Sequence, residues 1–320
     1  DGGGAVLPTD PALRDFLNGP AGTAPGVVLR GPSAADSARN IVPGGSTRLP
    51  YLIQFANPAD GQPVREVRIV QEIDPDLDIR SFQLTTVRFG DLTLGLPQGR
   101  GAYSAEFDLT RQRGYVLQMS AGIDVVTGIA SWVFRAIDPV TGLVVTAENV
   151  GLIKPGETGE VSYTIRSHPE ALSGASLDAQ ARVFFGEATP IDTNRVSARL
   201  DNVAPTSTLN VQPLSGHRYL LEWSALDDPL GSGVLEYSVY VSLDGRTYSA
   251  LEAQTTNTTL SYVAPEGSTP QFLVLAADIA GNLEAAPSGI SLSLFAPAVR
   301  LGTVPVAVPI DREVLPILPP

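Results

Sequence analysis

The chain has 320 residues, 43% of them hydrophobic and 17% charged, which is the composition of a folded protein with room for two domains. Its formal net charge of −13 argues against nucleic acid and against an anionic membrane surface as partners. Zero cysteines exclude disulfides, thiolate metal sites and cysteine nucleophiles, and no run reaches the roughly 18 apolar residues of a membrane span.

Turn residues are frequent, with 31 glycines and 27 prolines, and the runs between them are rich in Val, Thr, Tyr, Phe and Ile. This pattern predicts an all-β protein of tandem β-sandwich domains. Residues 1–35 are rich in Gly, Pro and Ala, which predicts an extended N-terminal segment or linker. Residues 36–203 contain roughly ten strand-like runs, with clear alternation in PVREVRIVQEI, and are predicted to form the larger sandwich.

A second sandwich is predicted for residues 204–295, after the turn sequence LDNVAPTSTL. About seven strands in roughly 90 residues is the size of a small immunoglobulin-like fold, and Trp223 is spaced like its buried indole. The last segment, 296–320, is apolar and has prolines at 297, 305, 309, 316, 319 and 320. We expect it to be extended, as polyproline II or an edge strand, because prolines this dense exclude a helix and a central strand.

Residues 204–295 resemble the fibronectin type III-like and immunoglobulin-like modules of large exported bacterial proteins. The resemblance rests on DNVAPTS, on LEWSALDDPLGSGVLEYSVYVSLDG and on AADIAGNLE. Residues 46–200 resemble an uncharacterised β-sandwich region of very large surface proteins of environmental bacteria, through LPYLIQFANPADGQPVREVRIVQEIDPDLDIRSF and similar stretches. Both resemblances imply an extracellular or cell-surface, non-catalytic, architectural role. Because the chain opens DGGGAVLP, we expect a processed product or a fragment of a longer protein.

The stretch QEIDPDLDIRSF places Asp74, Asp76 and Asp78 on alternate positions. A helix–loop–helix calcium loop that begins at Asp74 would need glycine at its sixth position and glutamate at its twelfth, but Ile79 and Thr85 occupy them. Two interpretations remain. The three carboxylates either bind a structural calcium ion from one face of an extended segment, or form the acidic end of a strand that turns at the following proline.

A second acidic group is spread over the predicted junction and the second domain. Asp201, Asn202 and Asp278 are candidate calcium ligands there, since hard oxygen donors at interdomain linkers suit this ion. The same residue types also form turns through side-chain bonds to their own backbone, so a purely structural role is the alternative. Nearby members of the group are Asp227, Asp228, Asn282 and Glu284.

The sequence gives little support for catalysis. There is no G-x-S-x-G elbow, no H-E-x-x-H, no phosphate-binding loop, and only two histidines. We therefore expect a protein that is not an enzyme and requires no cofactor, with calcium as the one ion to consider. A glycan is the alternative ligand, because sandwich modules bind sugars through exposed aromatic side chains; the candidates are Tyr237, Tyr240, Tyr248 and Tyr262.

The apolar C-terminal segment suggests how the protein acts. An apolar extended segment can add as a strand to a sheet edge or lie in a groove, in its own chain or in a neighbour. A head-to-tail contact of this kind propagates into a homopolymer, so we hypothesise a surface filament, sheath or layer. The alternative is a glycan-binding or calcium-dependent adhesive module of a larger surface protein. The predicted assembly residues are Val304, Val306, Val308, Ile310, Leu315, Ile317 and Leu318.

Overall fold

The structure, a computed structural model, describes residues 26–293. The predictions for residues 1–25 and for the segment 296–320, including the seven assembly residues Val304 to Leu318, lie outside the described residues. Within the described range the protein is all-β, and its strands form two successive β-sandwiches. No helix of this part of the chain is long and apolar enough to cross a membrane.

Fourteen strands and one short helix make up the first sandwich. They are β1 (Val27–Arg30), β2 (Ile41–Pro43), β3 (Leu49–Ala56), β4 (Glu66–Glu72), β5 (Leu77–Phe89), β6 (Leu92–Leu94), β7 (Ala102–Leu109), α1 (Thr110–Arg113), β8 (Tyr115–Asp124), β9 (Ile129–Ile137), β10 (Thr158–Ser167), β11 (Ser176–Ala179), β12 (Ala181–Phe185), β13 (Ile191–Asp192) and β14 (Val196–Asp201). Seven more strands form the second sandwich: β15 (Thr206–Leu214), β16 (Arg218–Leu226), β17 (Val234–Ser242), β18 (Thr247–Thr255), β19 (Thr259–Val263), β20 (Gln271–Asp278) and β21 (Ser291–Ser293).

The first sandwich has two large sheets, in the orders β1-β3-β10-β5-β6 and β13-β12-β4-β9-β8-β7, with a small sheet β11-β14-β2 beside them. Strict period-2 alternation in β9 sends its alternate side chains into the core, where they are fully buried. Aromatic contacts join the two large sheets. The ring centroid of Trp132 in β9 lies 6.1 Å from that of Phe82 in β5, and the ring centroid of Phe134 lies 4.9 Å from that of Phe89. One continuous hydrophobic core therefore supports all three sheets.

Residues 27–30 do not form the linker predicted for positions 1–35. They are β1, which pairs antiparallel with β3, and Val27 and Leu29 are buried in the core. The side chain of Asn194 fixes this strand from the other side, since its amide accepts from the N–H of Leu29 and donates to the carbonyl of the same residue. The short run VVLR between glycines was too brief to be distinguished from extended linker by its pattern alone.

The second sandwich has a three-stranded sheet, β15-β16-β19, and a four-stranded sheet, β20-β17-β18-β21. Its seven strands match the predicted number. The core between the sheets is small, with Leu221, Trp223, Val239 and Val274 buried and six further hydrophobic residues half-buried around them. Trp223 is buried, as its spacing predicted.

The last strand departs from the immunoglobulin-type order. In an immunoglobulin-type sheet the final strand pairs with the strand before it, which here is β20. β21 instead lies at the opposite edge of the sheet, parallel to β18. To reach that edge, the connection after β20 crosses the outer face of the sheet. Ile290 packs there on an apolar cluster that includes Tyr240 and Tyr248.

Candidate functional site

The junction of the two sandwiches gathers three carboxylates. Asp201 ends β14, Asp227 follows β16, and Asp278 ends β20. Their carboxylate oxygens lie within 4.8 Å of one another, and both Asp201 and Asp278 are fully buried. Among residues 26–293 this is the one group of three acidic, histidine or cysteine side chains close enough to share a metal ion.

The turn after β20 fixes Asp278. Its Oδ1 accepts hydrogen bonds from the backbone N–H groups of Gly281 and Asn282, at 2.7 and 2.8 Å. The side-chain amide of Asn282 donates to the other oxygen of Asp278 at 2.8 Å and to the backbone carbonyl of Asp201 at 3.0 Å. The sequence DIAGN is therefore a side-chain-capped turn that also reaches into the first sandwich.

Asp201 links the two sandwiches directly. Its Oδ2 accepts the backbone N–H of Ser232, in the loop before β17, at 2.6 Å. Its Oδ1 accepts from the hydroxyl of Ser173 at 3.2 Å and from the N–H of Val203 at 3.4 Å. Asp201 therefore accepts hydrogen bonds from both sides of the junction.

Asp227 completes the group from the loop that carries GSG. The backbone N–H of Gly233 donates to its Oδ2 at 2.6 Å, and the N–H of Asp228 donates to its Oδ1 at 2.9 Å. Gly231 lies close to this carboxylate, so a Cβ at that position would overlap it. The loop therefore holds Asp227 against the two buried carboxylates.

Burial raises the pKa of Asp278 above its ordinary value of 3.8, and the neighbouring charge of Asp201 raises it further, while the hydrogen bonds from Asn282 and Gly281 act in the opposite direction. The ion pairs of the described residues involve other carboxylates. The guanidinium of Arg39 lies nearby but donates to the backbone carbonyls of Gly231 and Ser232. The negative charge of the cluster is thus held mainly by backbone and amide donors.

Three convergent carboxylates suit a hard, oxygen-seeking cation. Buried carboxylates are costly unless a counter-charge, a proton or strong hydrogen bonds compensate them. A calcium ion or a proton shared by the cluster would each reduce the repulsion between Asp201 and Asp278. The donor set therefore fits calcium, with Asp201, Asp227 and Asp278 as the residues that would hold it.

Asn202 is not part of this group. Its Oδ1 accepts from the N–H of Gly45 at 2.6 Å and from the hydroxyl of Ser167 at 3.0 Å, and its Nδ2 donates to the carbonyl of Ala171 at 2.8 Å. The alternation of the strand end directs consecutive side chains to opposite sides, so Asn202 turns into the first sandwich. The sequence predicted Asn202 as a candidate calcium ligand, but in the structure its side chain joins Gly45, Ser167 at the end of β10, and Ala171.

Asp74, Asp76 and Asp78 are not gathered into a metal group. β4 ends at Glu72 and a turn leads into β5, where the N–H of Leu77 donates to the carbonyl of Asp74. The carboxylate of Asp74 accepts hydrogen bonds from the backbone N–H groups of Asp76 and Asp178, at 3.0 and 2.8 Å. The carboxylate of Asp78 accepts one from the backbone N–H of Arg80 at 3.1 Å. The turn interpretation therefore describes this stretch, and the calcium interpretation has no geometric support here.

The tyrosines proposed for glycan binding are used in packing. Tyr240 and Tyr248 are buried, and the half-buried Tyr237 and Tyr262 contact Trp223 and Phe272 respectively. An open depression of about 710 Å³ lies beside the turn at residues 72–80 and the hairpin tip at 125–128. Its lining has no tyrosine, tryptophan or phenylalanine. The two buried tyrosines and this depression therefore offer no stacking platform of the kind that a sugar ring uses.

Comparisons with known proteins give structural neighbours only. No family model and no curated protein matches the chain. Among solved structures, two domains of the major pilin SpaD from Corynebacterium diphtheriae align at 15% identity and a TM-score of 0.35, over 82% of this chain and 78% of that one. The major pilin BcpA of Bacillus cereus aligns at 8% identity and 0.34, over 80% and 59%.

The Actinomyces fimbrial adhesin FimA aligns at 13% identity and a TM-score of 0.32, over 79% of each chain. These neighbours are β-sandwich proteins. Scores this low assign neither a family nor an activity, so the tandem-sandwich architecture rests on the structure of the chain itself.

Proposed function

We propose that this protein is a non-catalytic structural subunit of a bacterial surface assembly, located outside the cell or on its surface. The observation that carries this proposal is the junction, where Asp201 at the end of the first sandwich accepts hydrogen bonds from Ser232 and Asn282 of the second. Buried polar networks fix orientation as well as contributing stability. The two sandwiches would then behave as one stiff unit, which suits a filament, sheath or layer.

Assembly would use the chain ends. Residues 296–320 are apolar and proline-rich, and such a segment adds most easily to a sheet edge of another sandwich. We also propose the limits of the two domains. The larger sandwich ends at residue 203 and includes β1 at its start, and the smaller sandwich covers residues 204–295.

Electron microscopy of the purified full-length chain tests assembly. We expect polymers from the full chain and separate two-lobed particles from a variant that lacks residues 296–320. Circular dichroism and thermal melting of the truncated chain should be unchanged, which shows that the sandwiches remain folded. Polymers of normal length from the truncated chain would refute assembly through this segment.

Calcium at the Asp201–Asp227–Asp278 cluster is the second part of the proposal. The observation that favours it is the convergence of three carboxylates from three separate loops, two of them fully buried. An ion there would stiffen the junction, as a calcium-dependent adhesive module would also require. Calorimetry with calcium, together with a glycan array, separates the two roles: a structural subunit binds calcium and no glycan, whereas an adhesive module binds a glycan as well.

A further inference from the structure

Strand β20 is an edge strand whose outer side is only partly covered. It pairs with β17 on one side. On the other side, Glu284 exchanges hydrogen bonds with both backbone groups of Ala276, at 2.9 and 3.0 Å, and the hydroxyl of Ser207 donates to the carbonyl of Val274 at 2.8 Å. Since residues two apart point their backbone groups the same way, those of Phe272 also face outward, and the described residues place no strand beside them.

The core of the second sandwich is open on the same side. Phe272 is only half-buried, although its ring centroid lies 5.5 Å from that of Tyr219 and 5.4 Å from that of Tyr262. In the facing sheet, Leu209 packs on the core, and Val211, which has the same alternation in β15, is 38% exposed. Inward-facing apolar side chains that still contact solvent indicate a sandwich that can accept another strand.

The amino-acid composition of the edge points the same way. Natural proteins protect exposed edges with charged residues, and the edge strand β7 of the first sandwich carries Glu106 and Asp108. β20 has the sequence QFLVLAAD, with no charge until its last residue. The position is also that of the final strand in an immunoglobulin-type sheet. Leu283 and Glu284 occupy its end beside Ala277 and Ala276, and the part beside Phe272 is vacant because β21 lies beside β18.

We propose that residues 304–310 of a second copy of the chain, VPVAVPI, add to the outer edge of β20 as an antiparallel strand. This rests on the proposed function and identifies the surface on which assembly takes place. In an extended strand, backbone groups of alternate residues point to opposite sides. The two prolines of the segment, Pro305 and Pro309, share one side, and the other side has an N–H at every position: Val304, Val306, Val308 and Ile310.

Antiparallel pairing satisfies both the backbone and the core. With the proline side facing solvent, Val306 and Val308 would pair with the outward backbone groups of Phe272 and with the outward N–H of Val274, beyond the part of the edge that Glu284 covers. In an antiparallel pair, residues opposite each other share a face, so Val306 and Val308 would lie on the same face as Phe272 and Val274 and close the open core. The prolines would in turn prevent any further strand from adding.

A second copy is the source because of where the described chain ends. Ser293 lies in β21, at the edge of the sheet farthest from β20. The three strand spacings between the two edges amount to about 14 Å. Ile290 packs on the apolar cluster of the outer face, so the connection that precedes β21 already occupies part of the direct way back. The described chain therefore ends on the side of the second sandwich opposite the vacant edge, as a head-to-tail contact requires.

A matched pair of proline variants tests the pairing. Val306→Pro removes an N–H directed at β20, whereas Ala307→Pro removes one directed at solvent. Both changes lie outside the described sandwiches. We expect Val306→Pro to abolish polymers in electron microscopy and Ala307→Pro to leave them intact. Equal behaviour of the two variants would overturn the strand pairing.

Disulfide trapping identifies the surface and the source, since the natural chain has no cysteine. Ala307→Cys chains are mixed with Leu273→Cys or Leu275→Cys chains. In the proposed pairing, Leu273 and Leu275 lie opposite residues 305–309 in non-hydrogen-bonded pairs, whose Cα atoms are about 4.5 Å apart. Ser261→Cys, on the edge strand β19, is the control. We expect mixed dimers with Leu273→Cys or Leu275→Cys and none with Ser261→Cys.

The remaining outcomes each have one meaning. A chain that carries both Ala307→Cys and Leu275→Cys and forms only an internal disulfide would show that the segment binds its own sandwich, which refutes the second copy. Trapping on β19 alone, or nowhere, would refute the β20 edge. If truncation of 296–320 removes polymers while no trapping on β20 occurs, the proposed function survives and this inference fails.

Discussion

The side-chain amide of Asn282 donates a hydrogen bond to the backbone carbonyl of Asp201, 81 residues earlier in the chain and in the other sandwich, at 3.0 Å. The same amide holds a carboxylate oxygen of Asp278 at 2.8 Å. One side chain thus satisfies an acceptor of each sandwich. The carbonyl of Asp201 also accepts the N–H of Gly44 at 2.7 Å, so the loss of this amide would leave the buried carboxylate oxygen of Asp278 as the unpaired group.

Replacement of Asn282 by alanine should therefore lower the free energy of unfolding by about 1–3 kcal/mol, the usual penalty for an unsatisfied buried group. Chemical denaturation measures the change. Asn257→Ala is the matched control, because Asn257 is exposed and its side-chain amide donates only to the side chain of Glu252, at 3.3 Å. A control loss as large as that of Asn282→Ala would contradict the role assigned to the junction.

Calcium should raise the thermal midpoint of the full chain at neutral pH. A ligand present at 100 times its Kd stabilises a protein by about 2.7 kcal/mol, because it binds only the folded state. Asp227→Asn should remove most of this response, since it takes one charge from the cluster without removing the acceptor oxygen. Asp244→Asn, in an exposed hairpin turn, should keep the full response. A calcium shift that survives Asp227→Asn would place the ion elsewhere.

The raised pKa of Asp278 predicts a pH dependence in calcium-free buffer. A carboxyl group whose pKa is higher in the folded state contributes stability that is fully present below its ordinary value of 3.8 and is lost as the pH rises through the folded value. The stability of the natural chain relative to Asp278→Asn should therefore fall as the pH rises from about 3.8. Urea denaturation at a series of pH values measures this difference.

Asp244 provides a control of opposite sign. Backbone N–H groups of Thr247 and Arg246, followed by the hydroxyl of Ser242, lower the pKa of Asp244 to about 2. Its contribution is present above 3.8 and lost as the pH falls toward 2, so the natural chain should lose its advantage over Asp244→Asn in acid. If both variants showed the same pH trend, the difference in environment would not be their cause.

A pair of glycines tests the packing of the first sandwich. Gly159 lies in β10 against the ring of Phe55, and a Cβ at this position would overlap that ring. Gly159→Ala should therefore destabilise the protein by about 1–3 kcal/mol, the range for overpacking a core. Gly95→Ala, where a Cβ would meet nothing within 4 Å, should change the thermal midpoint little. An unchanged midpoint for Gly159→Ala would contradict the packing of this strand.

Much of the local structure could be predicted from the sequence. Alternating runs such as EVRIVQE and IASWVFRAI are strands, Trp223 is buried, and the acidic stretch at Asp74 is a turn. Each of these depends on interactions between residues close in the chain, or on a side chain's preference for the core. The strand β1 was not predicted, because four residues carry too little periodic signal.

The candidate site could be predicted only in part. Asp201, Asn202 and Asp278 were the predicted ligands, with Asp227 as a nearby member of the same group. The structure brings Asp201, Asp227 and Asp278 together and directs Asn202 elsewhere. Aspartates and asparagines in turns look alike in a sequence, since each is explained equally well by a bond to its own backbone. Which of them face one another depends on how three loops meet, and that is fixed by the packing of the two sandwiches.

By itself the sequence determined the all-β class, the succession of two sandwiches and most strand positions, because side-chain alternation and turn residues act over a few residues. Only the tertiary structure decided that β21 lies beside β18 and leaves part of the edge of β20 uncovered, and that three carboxylates converge at the junction. Strand neighbours are chosen by contacts between residues distant in the chain, and no local pattern records them.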